Sequence, residues 1–455
     1  MGESKTRIEK DLLGELSIPS ESLAGIHTYR ARENFSVSGF PIPSSLIHAY
    51  GLVKQACAQV NHQLGYLDDP LAEAIINAAR EMSEGGLDAW ILVDAFQGGA
   101  GTSTNMNVNE VLANRALIHL GRAPGEYEHC DPFLHVNLHQ STNDTYPTAL
   151  RVAAYAGLKR LEAAVTLLQE SAQDKERELA DVVKTGRTQL MDAVPLTLGG
   201  TFGAWADALS RDRWRIFKAT ERVRVVNLGG TAVGTGMGAP RDFIFRAADA
   251  LRALAGMPLA RAENLVDATQ NLDVWVEVMG MLKAHAATLM KMSGDLRLLA
   301  MGPDAGPGEI RLPARQAGSS LMPGKVNPVI PEMVHLAAIQ TAAADHAVFW
   351  AAGGGQLELN AFLPGVAFNV LNTLSLLERT DERFAGACLA GVEADAARCR
   401  RAAERSASLA TILVPKLGYH RAWSLPPDLR GYCSHHTAVA APPSIMSRHI
   451  FKPRL

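Results

Sequence analysis

In the stretch "QNLDVWVEVMGMLKAHAATLMKMSGDLRLL", apolar and small residues recur at Leu272, Trp275, Met279, Leu282, Ala286, Leu289, Ser293 and Leu296. This unbroken 3-4-3-4 spacing is that of a helix seam. A second seam runs through Ala154, Leu158, Leu161, Val165, Leu168 and Ala172. Helices of about 30 residues would be about 45 Å long, more than one subunit of this size can wrap by itself. The 270–300 segment is also apolar on most of its circumference, which predicts burial on several sides. The Met-rich positions Met279, Met281, Met290 and Met292 read as core filling. A mainly α fold follows, with a long central helix bundle shared between subunits and an obligate oligomer as its consequence.

The chain has 455 residues, too many for one compact core. Its texture divides into three regions. Residues 1–146 mix short helical patterns with loops, and 147–390 carry the long helices. Residues 391–455 read as a small C-terminal domain. A net charge of −3 supplies no basic footprint for nucleic acid and no polybasic membrane anchor. Five scattered cysteines without a CxxC pair indicate neither a disulfide framework nor a zinc site. The charged start lacks the apolar core of a signal peptide. The least polar stretch, after Glu358, is broken by Asn360, Pro364, Asn369 and Asn372, so no membrane span is expected. A cytoplasmic location is the expectation.

Four loops interrupt this helical text with hydroxyls and amides. They are "GGAGTSTNMNVNE" (98–110), "HQSTNDTYPT" (139–148), "KTGRTQLMDAVPLT" (184–197) and "GSSLMPGKVN" (318–327). The last is not a phosphate loop: five residues separate Gly318 from Gly324, and Val326 follows Lys325. Taken singly, each of the first three reads as a helix cap, since Ser, Thr and Asn are what caps need. The first predicts a helix starting near Asn107, the second a helix whose first turn holds Pro147. Together the loops say more. Hydroxyls, side-chain amides and helix N-termini bind carboxylates well. If they converge, Lys325 is the one obvious cation, and the pocket suits a small dicarboxylate. His135 and His139 flank the second loop and read as structural.

These motifs, in this order, resemble the signature of the aspartase/fumarase superfamily from about Arg7 to Ala422. Within it, "GIHTYRARENF", "QGGAGTSTNMN", "STNDTYPT" and "QAGSSLMPGKVNPVIPE" are closer to the aspartases than to class II fumarases. The fumarases typically carry "GSGTQSNMN", "SSND", "GRTHLQDATP" and "VNPTQCE" in the matching places. The resemblance implies a homotetramer, no cofactor and no metal, and the interconversion of L-aspartate with fumarate and ammonium. It assigns Ser319 as general base, acting as its alkoxide. Thr102, Ser141, Thr142 and Ser320 would hold the β-carboxylate as it becomes an aci-carboxylate. Lys325, Asn327 and Thr188 would hold the α-carboxylate, with Asn143 and Gln189 near the amino group and Thr102 in reach of it. Glu332 matches a residue that orients a histidine in relatives, a role Gln189 leaves without an object. A fumarase, or a non-catalytic scaffold on the same fold, is the alternative.

After Ala422 the family pattern stops. "WSLPPDLRGYCSHHTAVAAPPSIMSRHIFKPRL" has two Pro-Pro pairs, no helical period and a His435/His436 pair. It reads as aberrant, unpatterned tail.

Overall fold

A computed structural model describes residues 5–424. The tail from 425, with Cys433, His435 and His436, lies outside the described residues. The chain opens with an antiparallel hairpin, β1 (Thr6–Asp11) and β2 (Gly14–Pro19). Helices α1 (Ile26–Asn34), α2 (Ser44–Gln63), α3 (Asp69–Ser83), α4 (Thr102–His119) and α5 (Thr142–Glu178) follow. A second hairpin, β3 (Val183–Thr188) with β4 (Met191–Thr197), precedes α6 (Leu198–Val223). Strand β5 (Val225–Val226) pairs in parallel with β6 (Ala260–Arg261) across α7 (Arg241–Ala255). Then come α8 (Leu265–Gln270), α9 (Asp273–Leu299) and β7 (Ile310–Arg311). Helices α10 (Val329–Gly353) and α11 (Leu363–Ala387) precede β8 (Glu393–Ala394), which pairs with β7, and α12 (Ala396–Arg405). The fold is mainly α, as expected.

Both seams lie where the periodicity puts them. All eight positions of the 272–296 seam are buried, seven of them in α9 and Leu272 just before it, and all six of the 154–172 seam are fully buried in α5. Each fully buried leucine there contributes about 1.5–3 kcal/mol of apolar transfer. At 37 residues, α5 is about 55 Å long. Two expectations change. Met279 and Met292 are buried, but Met281 and Met290 are only half-buried, because they face away from the seam. Pro147 stands inside α5 rather than in its first turn, since the helix begins at Thr142. A proline there leaves the carbonyl of Asn143 without its helical donor. Asn227 Nδ2 supplies the bond at 2.9 Å, so the helix continues.

Two compact units divide the chain. Unit 1 comprises 1–162, 214–284 and 339–378, and unit 2 comprises 163–213, 285–338 and 379–455. In unit 1, α2 packs on α3 and α7. Gly51 permits the first contact, because a Cβ there would drive into the backbone of Ala79 and Ser83. In unit 2, α12 packs on β3, and Ser408 Oγ donates to Ala193 O at 2.6 Å. Among the described residues no helix is long and apolar enough to cross a membrane.

Unit 2 also buries a charged triad. His285 on α9 meets Asp212 on α6 through Nδ1 (3.1 Å) and Asp381 on α11 through Nε2 (2.9 Å), all three inaccessible to solvent. Burial alone would discharge the imidazole, but the two carboxylates outweigh it and push its pKa up to about 10. A histidine with a folded pKa above its unfolded value stabilises fully below about pH 6.5. That contribution is lost as pH rises through about 10. His285→Ala removes the cation between two buried carboxylates and should cost about 3–5 kcal/mol at neutral pH, read from urea unfolding. Across pH 6.5 to 10 the parent's urea midpoint should fall more steeply than that of His285→Gln. Parallel slopes would contradict the buried imidazolium.

Candidate active site

Unit 1 carries the first two polar loops. Gly101 has a left-handed φ of 92°, and a Cβ there would drive into the ring of Tyr146, so only glycine fits. Helix α4 starts right after it, at Thr102, five residues before the expected Asn107. The early start follows from two bonds: Thr102 N and Oγ1 both donate to Gly99 O, at 2.9 and 2.7 Å. Thr102 itself is exposed.

Helix α4 has no apolar face because it is buried among loops that need polar partners. Asn107 accepts from Leu92 N (2.7 Å) and donates to Trp90 O (2.9 Å). Glu110 accepts from Gly25 N, His27 N and the Thr28 backbone and hydroxyl. Asn105 Nδ2 donates to Thr142 Oγ1 (3.1 Å) and to Asn137 Oδ1 (3.2 Å), tying this helix to the second loop.

Ser141 caps α5: its Oγ accepts from Asn143 N (3.2 Å), while Asp144 Oδ1 accepts from Ser141 N (3.0 Å). The capping reading therefore holds here, and the hydroxyl proton of Ser141 stays free to donate. Thr142 Oγ1, already accepting from Asn105, has its own proton free in the same way. Asn143 Nδ2 donates to Ala232 O at 2.7 Å, which leaves Oδ1 as the outward acceptor. Asp144 is fully buried and anchors the loop, accepting from Thr231 N (3.0 Å) and Gly229 N (3.2 Å). Burial pushes its pKa up to about 6 against those hydrogen bonds and the charge of Lys54.

Lys54 escaped the sequence reading. It is 1% exposed within α2, and Nζ donates to Gln140 Oε1 (2.9 Å) and Asn137 Oδ1 (3.0 Å). Burial pulls its pKa down to about 7, with Cys57 and Asp144 opposing. The available signal was a lone lysine in the apolar run "AYGLVKQACAQV". His135 Nδ1 accepts from Asp131 N (2.8 Å), and His139 Nδ1 meets Asn61 Oδ1 (2.7 Å); both hold the loop's flanks.

Unit 2 carries the other two loops. Thr188 and Gln189 do not cap a helix. They form the β3–β4 turn, where Gln189 and Leu190 have left-handed φ values of 54° and 65°. The capping expectation fails because β3 pairs with β4 right up to Thr188–Met191. Thr188 and Gln189 are exposed at this tip.

The 318–327 loop is pinched at its neck. Gly318 N donates to Lys325 O (3.1 Å), and Asn327 Nδ2 donates to Gly318 O (2.6 Å). A Cβ at Gly318 would strike Lys325 O and Asn327 N, so the pinch requires glycine. Ser319 Oγ accepts from Met322 N (2.8 Å) and Leu321 N (3.2 Å). Two donors aimed at one hydroxyl oxygen favour its anion. Ser320 and Lys325 are exposed on the loop, and Lys325 Nζ has no hydrogen-bond or ion-pair partner among the described residues. Glu332, in the first turn of α10, lies 3.9 Å from Arg297.

The candidates thus fall in two units: Thr102, Ser141, Thr142 and Asn143 lie in unit 1, and Thr188, Gln189 and the serine loop lie in unit 2. Among the described residues, Glu126, Glu128 and His129 could share an ion, but two of the three are exposed.

Residues 14–342 match the lyase family. An aspartate ammonia-lyase of Bacillus subtilis (strain 168) is 43% identical over 92% of this chain and 89% of its own length. A solved fumarate lyase (delta crystallin) from Brucella melitensis, bound to cobalt, superposes with a TM-score of 0.90 at 45% identity, covering 95% of this chain and 93% of that one. A class II fumarase from Schistosoma mansoni superposes with a TM-score of 0.88 at 31% identity, over 95% of this chain and 93% of its own. With the family match spanning most of the chain, and 43% identity to an aspartate ammonia-lyase along nearly all of it, the chain belongs to this lyase family, among its aspartate ammonia-lyases.

Proposed function

We propose that this chain reversibly converts L-aspartate to fumarate and ammonium, with Ser319 as the base. The observation that carries the reading is Ser319 Oγ at the focus of two backbone N–H groups, in a loop that also holds Lys325. The hard step is removal of the Cβ proton, which places a second negative charge on the β-carboxylate. Preorganised donors are usually the largest stabilising term for such a charge. Ser141 and Thr142 suit that task, because both hydroxyl oxygens already accept from the protein and their protons remain for the substrate. Ser320 would add a third donor. Thr102 differs: its proton is engaged by Gly99 O, so its oxygen is placed to accept from the substrate ammonium.

Lys325, Asn327 and Thr188 would hold the α-carboxylate. Asn143 Oδ1, left outward by the bond to Ala232, would accept from the ammonium, with Gln189 beside it. Ser319 takes the Cβ proton as its alkoxide. The released electron pair forms the Cα–Cβ double bond as the C–N bond breaks; ammonia departs, Ser319 returns its proton to solvent, and ammonia takes one up as ammonium. The substrate is thus a small dicarboxylate, and the chemistry asks for no cofactor.

The same reading includes a homotetramer in which loops of several subunits complete each site. Large apolar residues exposed on the single chain support it: Leu336, Ile339, Phe349 and Trp350 on α10, and Trp214 and Phe217 on α6. A cytoplasmic location fits a small-metabolite lyase of this kind.

Three measurements test the proposal. Loss of fumarate should require ammonium; equal loss without it would make the chain a fumarase, and none under either condition a non-catalytic scaffold. Ser319→Ala should lower turnover by several orders of magnitude while fold and assembly persist, because a half-exposed loop hydroxyl adds little stability. Near-normal turnover in an intact assembly would remove Ser319 from the role. Light scattering alongside the assay should find a tetramer whose activity vanishes on dilution together with assembly, and a fully active monomer would end the shared-site reading.

A further inference from the structure

Arg187 is the last residue before Thr188 on β3, and its guanidinium grips one carboxylate with two bonds. Nη2 reaches Glu309 Oε1 at 2.8 Å and Nη1 reaches Oε2 at 3.0 Å. Lys184 Nζ stands 3.5 Å from the same carboxylate. Glu309 is completely buried. Its backbone is as constrained as its side chain: Glu309 N donates to Leu299 O (2.8 Å), and its carbonyl accepts from Asp395 N (2.9 Å) and Cys399 Sγ (3.4 Å). From there the chain runs through β7 to Arg315, which donates to Ala387 O (2.7 Å), and then into the pinched loop at Gly318. One carboxylate therefore begins the segment that leads into the serine loop and holds the strand that presents Thr188.

Stability alone does not call for such a pair. Apolar residues of similar volume often replace a buried ion pair at no cost. What the bidentate arrangement adds is geometry, because a planar fork on a planar carboxylate fixes distance and orientation together. We propose that the Arg187–Glu309 pair is a positioning device that holds the Thr188–Gln189 turn and the segment leading into the Ser319 loop in fixed geometry for the lyase reaction. Neither side chain need touch the substrate. The inference rests on the assignment of these two loops to aspartate made above.

A purely electrostatic role predicts the opposite sign. Removing the negative charge of Glu309 would leave Lys184 and Arg187 unopposed behind an anion-binding turn and should tighten dicarboxylate binding. Positioning predicts weaker binding and slower chemistry, since misplacement by about 1 Å can cost about a hundredfold.

The test uses the full chain with Glu309→Gln and Arg187→Lys, measuring KM and kcat for aspartate together with hydrogen exchange of peptides spanning 188–197 and 318–327. For Glu309→Gln we expect KM raised and kcat lowered, each by about tenfold, with faster exchange in both segments and little change elsewhere. Arg187→Lys should move the same quantities less, since a charged bond survives. A KM at or below the parent's, or an exchange change confined to one segment or spread through the whole chain, overturns the proposal. If Glu309→Gln does not fold, Arg187→Lys is judged by the same criteria. A parent unable to deaminate aspartate would sink the lyase reading, while the exchange measurement would still decide whether the two segments are coupled.

Discussion

The side-chain oxygen of Asn137 accepts from Lys54, Asn105 and Asn109 at 3.0 to 3.2 Å, and the polar half-site of unit 1 depends on that junction. A buried amide or ammonium costs several kcal/mol unless it is paired. The helices α2 and α4, which have little freedom to shift, are thereby required to meet the loop before α5 at one point. Ser141 and Thr142 inherit their places from this arrangement, with Gln140 bonded to Lys54 and Thr142 to Asn105. The members of this network are paired apart from the side-chain oxygen of Asn109, which has no partner among the described residues. That is why the row of asparagines on α4 is buried although an isolated helix of such composition would be expected at the surface.

The same economy shapes the hydroxyls of the proposed site. Each oxygen of Ser141, Thr142 and Ser319 already accepts a protein N–H. Ser141 and Thr142 are left as donors, which suits an accumulating carboxylate charge. In the proposed reaction Ser319 would need the reverse, an oxygen whose anion is favoured, and it has two backbone donors and, among the described residues, no acceptor beside it. One type of contact thus serves both purposes, and what separates them is the number of donors and the loop that carries them.

Strain and close approach recur where these loops need sharp placement. Gly101 holds a left-handed conformation against Tyr146, Gly318 closes against Lys325 and Asn327, and Gln189 and Leu190 adopt left-handed conformations without being glycine. Non-glycine residues in that region cost about 1–3 kcal/mol each and persist when the surroundings impose them. Here the pairing of β3 with β4 on both sides imposes the turn. Pro147 is a similar case: a residue that ought to end or kink a helix is carried within α5 because Asn227 serves the carbonyl it leaves behind.

The sequence alone determined the long helices, since burial on one stripe of a 3.6-residue period leaves a local imprint that needs no partner to be read. The seams through Leu282 and Leu161 are buried as that imprint requires. It also determined which loops are polar, and the motif order that places the chain in its family. Helix starts were legible only to within a few residues: α4 begins at Thr102 because Gly99 offers a carbonyl, and that depends on the backbone conformation of its neighbours. The turn at Thr188–Gln189 was misread as a cap for a like reason, because Ser, Thr and amide residues serve caps and hairpins equally. Tertiary structure alone decided the roles of Lys54, Asp144, Arg187 and Glu309. Their partners lie tens of residues away or more, and although the apolar run around Lys54 hints at its burial, nothing local names the group it will be buried against. Pairing of that kind is a property of packing, and packing is long-range.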